Sequence, residues 1–133
     1  MKALSIQQPW AHAILHCGKD VENRTWHVGH NGPLLIHASK KFDKHALPFF
    51  ERQGIVLPED PRKQLPAGGI VGIVYMTGCM KFLNSPWYEP GCYGWMFEDP
   101  HVLPFFAWQG RQGLFDFPDE LLRRLGIKEE LYG

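Results

Sequence analysis

Apolar and polar residues alternate over Lys2-Ala3-Leu4-Ser5-Ile6, which predicts a strand with Leu4 and Ile6 on one face. Gln7-Gln8-Pro9 ends it, and Pro9 suits the first position of a helix, where its missing N–H is not needed. Trp10, Ala13, Ile14 and Cys17 then recur at i, i+3, i+4 and i+7, the stripe of an amphipathic helix over Pro9–Cys17 that Gly18 stops. Val21 to Trp26 reads as a second strand, with Glu22 and Arg24 on one face and Val21 and Asn23 on the other. A loop rich in Gly, Asn and Pro leads to a buried strand at Leu34–Ala38. Ser39 is a candidate N-cap for a helix over about residues 42–53, in which Pro48 is placed to cause a split.

The stretch Gly54–Gly69 carries Pro58, Pro61 and Pro66 and predicts a surface loop. Gly69–Met76 is the clearest strand, and its internal Gly72 marks a bend or bulge. Tyr93–Glu98, His101–Phe106 and Gly113–Phe117 read as three further strands, and Pro118 opens a C-terminal helix through Leu125. Short strands and a few short helices that do not alternate regularly predict an α+β fold around a bent sheet or small β-barrel. With 133 residues, no linker and no repeat, residues 1–133 are expected to form one domain.

Composition narrows the class. The chain is 44% hydrophobic and 21% charged, which excludes a disordered segment. No apolar run reaches the length of a membrane span, and the polar start lacks a secretory core, so a cytoplasmic location is expected. Fourteen basic and fourteen acidic residues cancel, so any contact with nucleic acid must come from a local patch. Cys17, Cys79 and Cys92 have neither metal-knuckle nor redox spacing and are expected to be reduced thiols.

The most suggestive cluster is Lys19-Asp20-Val21-Glu22-Asn23-Arg24. A lysine at a turn is followed by a carboxylate and a guanidinium on one strand face, about 6–7 Å apart at the rise of a strand. Such a group can grip a carbonyl, activate a nucleophile or clamp a phosphate, and its plain alternative is a solvated ion pair. His37 and Ser39 share one face of an otherwise apolar strand. His37 is either a satisfied core residue or a base and substrate ligand. His12 and His16 stand at i, i+4 with no third metal ligand indicated, so no metal and no cofactor are expected. Cys17 beside Lys19 is more at home in the apolar stripe than as a reactive thiol.

The order of these segments carries a resemblance. Leu4-Ser5-Ile6-Gln7-Gln8-Pro9-Trp10-Ala11, Lys19-x-x-Glu22-x-Arg24 with Trp26, and Leu35-Ile36-His37-Ala38-Ser39 resemble the opening of an ASCH (activating signal cointegrator homology) domain. Gly69-Ile70-Val71-Gly72, Tyr93-Gly94-Trp95 and Gly110–Phe115 resemble its later segments, so the likeness covers about Met1 to Pro118. It implies a PUA-like fold: a small bent β-barrel flanked by short helices, with a cleft between helix and barrel. It also implies business with RNA or modified nucleobases. Carried onto this chain, it places Lys19, Glu22 and Arg24 in the cleft, with Gln8, Pro9 and Trp10 beside them. The chain departs from the pattern at Gln7, where the family usually has arginine, and at Cys17, where it has glycine. Glu22 stands where the amidohydrolase members carry threonine.

Two classes of function follow, with a third behind them. As a binding module, the cleft would hold RNA, single-stranded nucleic acid or a nucleoside, with Lys19, Arg24, Lys40, Lys41 and Arg111 supplying charge. Trp10, Trp26, His37, Ser39, Gln8 and Pro9 are the remaining candidate ligand contacts, and Trp95 is expected to be buried. As a hydrolase of N4-acylated cytidine, the catalytic set would be Lys19 as nucleophile or base, Glu22 as proton partner and Arg24 as oxyanion stabiliser. A ribonuclease would pair His37 with Lys19. The third class is a protein-interaction domain, which requires a contiguous exposed apolar patch.

Overall fold

The computed structural model describes residues 1–127. Six strands form one sheet in the order β2-β5-β4-β3-β1-β6. They are β1 (Lys2–Gln8), β2 (Val21–Arg24), β3 (Gly32–Phe42), β4 (Gly69–Met80), β5 (Tyr93–Ala107) and β6 (Leu114–Asp116). Helices α1 (Trp10–His16), α2 (Leu47–Arg52) and α3 (Pro61–Gln64) are short, and 3₁₀ turns cover Lys44–Ala46 and Asp119–Leu125. The fold is α+β, as expected. The sheet is bent by bulges but does not close into a barrel, because β2 and β6 lie at opposite ends of it.

β1 and β3 pair in parallel and every other pair is antiparallel. One core cluster joins Leu4, Ile6, Leu34, Ile36, Val71, Val74 and Trp95 to Ala11 and Ile14 of α1. A second lies beneath the 3₁₀ turn at Asp119–Leu125, where Leu35, Ile70, Ile73 and Phe115 meet Leu122 and Leu125, and a smaller third joins Ala13 of α1 to Ala46 and Phe50. α1 is anchored at its start by Gln8, whose side-chain oxygen accepts from the His12 backbone N–H at 2.8 Å and whose amide donates to the Pro66 carbonyl at 3.0 Å. Gly72 must lack a side chain: a Cβ there would sit 2.8 Å from the His101 carbonyl and closer still to Leu15 of α1. That close approach seats the helix on the sheet.

Several boundaries differ from the sequence reading. Tyr93–Glu98 and His101–Phe106 are one strand, because Asp99 takes a φ of 53° and the ladder resumes beyond it. β3 runs on through Lys40 and Lys41 to Phe42, so Ser39 is a strand residue. Asp43 is the cap instead, accepting from the His45 backbone N–H at 3.0 Å. The expected helical stretch is divided, as Pro48 suggested, into the 3₁₀ turn Lys44–Ala46 and α2, with Pro48 in the first turn of α2. The 54–69 loop contains α3.

Candidate functional site

Glu22 and Arg24 do share a face of β2. Arg24 donates Nη2 and Nε to Glu22 Oε2 at 3.0 and 3.1 Å. Its Nη2 also reaches the Ser5 carbonyl on β1 at 3.0 Å, and its guanidinium lies 5.9 Å from the centre of the Trp95 ring. These two side chains form part of the floor of a cleft of about 1110 Å³. Lys40, Lys41 and Arg111 stand exposed along its sides, and Trp10, Trp26 and Trp108 supply aromatic surface. Ligand sites commonly measure roughly 300–1,000 Å³. This cleft is therefore large enough for more than one compact group.

Lys19 behaves differently. It is 4% exposed and does not line that cleft. Gly18, at a φ of 75°, turns the chain out of α1, and the Lys19 backbone N–H bonds the Ala13 carbonyl at 3.1 Å. The side chain then passes inward. Its ammonium donates to the Val21 carbonyl at 2.6 Å and sits 3.6 Å from Glu22 Oε1. The rings of Trp10 and Trp87 lie 5.0 and 5.7 Å from it. Burial lowers the Lys19 pKa from its ordinary value, opposed chiefly by the Glu22 charge.

A second cavity, of about 430 Å³, opens beside this lysine. Trp10, Phe49 and Trp87 wall it, and Glu22, Asn23 and Asp43 belong to both cavities. Trp87 and Phe49 carry no local signal of this role, since their segments are remote from the motif in the chain.

His37 is 2% exposed at the edge of the large cleft. Its Nε2 lies 2.6 Å from the Trp108 carbonyl, and its Nδ1 lies 3.0 Å from Ser5 Oγ. A carbonyl can only accept, so Nε2 carries the proton and Nδ1 accepts from the serine. Both nitrogens are thus satisfied, and burial lowers the His37 pKa. Gly110 packs over this pair: a Cβ there would lie 2.6 Å from His37 Cε1 and almost on Ser5 Oγ. His37 therefore pins the 108–113 wall of the cleft to β1 and β3.

The other candidates are placed as follows. Trp10 is half-buried, and its indole N–H donates to Asp43 Oδ2 at 2.9 Å. Trp26 is 39% exposed in the cleft and packs edge-on against the fully buried Trp95. Ser39 lines the same cleft, whereas Gln8 and Pro9 are buried behind it. Burial raises the Cys17 pKa, so its thiol packs and is not activated. His12 and His16 stack at 4.7 Å. Among the described residues, no group of three or more His, Cys, Asp or Glu side chains could hold a metal ion, and no helix is long and apolar enough to cross a membrane.

A bent mixed sheet with a helix packed on it and a cleft bordered by the first strand makes this an α+β domain. The comparisons resolve the family. The ASCH domain model matches residues 4–108, and the chain belongs to that family. The crystal structure of ASCH from Zymomonas mobilis superposes with a TM-score of 0.59 at 14% identity, covering 94% of this chain and 92% of that one. A tyrosine-to-phenylalanine variant of the Zymomonas mobilis protein gives 0.59 at 14% identity, covering 94% and 95%. At this identity the likeness concerns the fold. No curated protein matches the sequence.

Proposed function

We propose that this ASCH domain binds single-stranded RNA or a modified nucleoside in the large cleft. The observation that carries the reading is the lining of that cleft, which combines exposed Lys40, Lys41 and Arg111 with Trp26, Trp108 and the Glu22–Arg24 pair. Cations that follow a backbone and aromatic faces that accept unstacked bases are what single-strand binding requires. The balanced total charge fits a short segment rather than a long duplex. The test is fluorescence anisotropy with a short RNA across a salt series. Each of Lys40→Ala, Lys41→Ala and Arg111→Ala should lower the slope of log affinity against log salt by about 0.7, the value for a phosphate contact in a single strand. Unchanged slopes in all three would overturn it.

One observation favours a second reading, hydrolysis of an N4-acylated cytidine. Lys19 is desolvated, its pKa is lowered, and its ammonium lies 3.6 Å from Glu22 Oε1. Such a lysine is a usable nucleophile or base. Release of acetate from N4-acetylcytidine that disappears in Lys19→Met would establish it, and no release by the native protein would end it. Nothing comparable favours a ribonuclease. His37 and Lys19 line different cavities, and both His37 nitrogens are occupied. A protein-interaction role finds large exposed apolar side chains such as Val56 and Phe82 in different loops.

A further inference from the structure

A further groove, of about 460 Å³, adjoins the large cleft along the end of β3. The two share Gln7, Ser39, Lys40 and Lys41, so this segment is the ridge between them. The strand ladder explains the ridge. Between the pairs Ile6–Ala38 and Gln8–Phe42, β1 has only Gln7 where β3 has Ser39, Lys40 and Lys41. Pairing with β4 stops at Ala38–Gly69. The extra length makes a bulge, and two successive lysines line both cavities instead of alternating between two faces.

The opposite wall comes from the segment around α3. Arg62 is exposed, and its guanidinium lies 5.6 Å from the centre of the half-buried Phe42 ring. This segment is fixed to the sheet before any ligand arrives. Gln8 donates to the Pro66 carbonyl at 3.0 Å, and the Gly68 N–H donates to the Ala38 carbonyl at 2.7 Å. Lys40, Lys41 and Arg62 therefore face one groove, and no acidic side chain lines it. Among the described residues, none of the three forms a salt bridge. Gathering like charges without carboxylates repels rather than stabilises, and an anion is the occupant that offsets it. Because both lysines also line the cleft, a chain of phosphates lying there passes over the ridge into the groove.

We propose that this groove receives the phosphate backbone of single-stranded RNA where the strand leaves the large cleft, with Lys40 and Lys41 straddling the ridge and Arg62, braced on Phe42, gripping a phosphate. The proposal rests on the RNA-binding reading of the cleft and adds a second site outside it. It makes the length of the RNA a determinant of affinity.

The test is fluorescence anisotropy with a uridine tetramer and a uridine decamer across a salt series. The decamer has chain to spare once the cleft is filled, so it should bind more tightly and with the steeper salt dependence. Arg62→Ala should lower the decamer's slope of log affinity against log salt by about 0.7, one phosphate contact, and leave the tetramer's slope unchanged. Arg62→Lys should keep the slope but weaken the decamer, since a point charge replaces the guanidinium fork. Lys63→Ala is the control. That neighbouring cation lies outside the groove, 3.9 Å from Asp60, and its loss should change neither RNA. Arg62 is exposed, so its variants should melt with the native protein. Decamer binding that ignores Arg62→Ala, or falls equally with Lys63→Ala, overturns the groove. Equal loss of tetramer and decamer binding in Arg62→Ala overturns the continuation from the cleft. If Arg111→Ala still weakens the tetramer in either case, the reading of the large cleft survives. Binding of neither RNA overturns both.

Discussion

The large cleft and the smaller cavity beside Lys19 share a wall, yet they treat charge in opposite ways. The cleft keeps Lys40, Lys41 and Arg111 in water, where a cation costs little to maintain. The smaller cavity is lined by a lysine whose side chain is 3% exposed, held by one carbonyl, one carboxylate and two indole faces. Lys19 and Arg24 are the two ends of one six-residue motif, yet Arg24 reaches the cleft and Lys19 does not line it. Residue type therefore does not fix the role. Exposed cations are cheap to remove, whereas a buried one commits the fold around it.

The largest test of this contrast is Glu22→Ala. Removing one partner of a buried pair strands the other charge, so the variant should lose about 3 kcal/mol. For a domain of this size that is a fall of roughly 10 °C in melting temperature by calorimetry. A variant as stable as the native protein would mean that Lys19 finds its compensation elsewhere, and the contrast would break. Gly110→Ala probes the opposite side, where the cleft wall is set by packing rather than by charge. Its added methyl would collide with Ser5 and His37, for a cost of about 2 kcal/mol and a displaced 108–113 wall. Urea titration measures the first, and weaker RNA binding reports the second.

Smaller effects appear in pH dependence. The folded-state pKa of Lys19 lies below 10.5, so the unfolded chain holds that proton more tightly. The cost of burying the charge is fully present below the folded pKa and is relieved as pH rises through it toward 10.5. Native stability should therefore rise relative to Lys19→Met across that alkaline window. His37 and His12 are both lowered from 6.5, so acidification below that value protonates the unfolded chain first and stability falls. His37→Gln should remove part of that acid loss in melts recorded between pH 7 and pH 5. The smallest effect belongs to the rim: Arg111→Ala should alter stability by no more than about 0.5 kcal/mol while changing RNA affinity.

Much of the frame was legible in the chain because strand and helix periodicity are local. The alternation at Lys2–Ile6, the stripe from Trp10 to Cys17 and the shared face of Glu22 and Arg24 all reappear in the structure. Local signals misled where tertiary pairing overrode them. Ser39 looked like a cap, but pairing with β4 and the run beyond it carry β3 on to Phe42. Asp99-Pro100 looked like a break, but a bulge carries β5 across it. The site divides in the same way. The burial of Lys19 has no local signal, since Trp87, which covers it, is remote in the chain and its loop is tied in through Asn23 and Asp20. The His37 clamp on Trp108 joins residues 71 positions apart and left no trace in any window.

The pairing of β6 with β1 bears on how the molecule is made. Leu114–Asp116 lies antiparallel to Lys2–Leu4, so one flank of β1 is covered only by a segment distant in the chain. Until that segment docks, the β1 backbone N–H and C=O groups face outward beside apolar Ala3 and Leu4, a template for pairing with another chain. Contacts between such distant segments also slow folding, because the intervening chain must be closed first. The 108–113 wall lies just before β6 and is positioned late in the same way. The cleft is thus complete only once β6 has docked, the step that also covers that flank of β1.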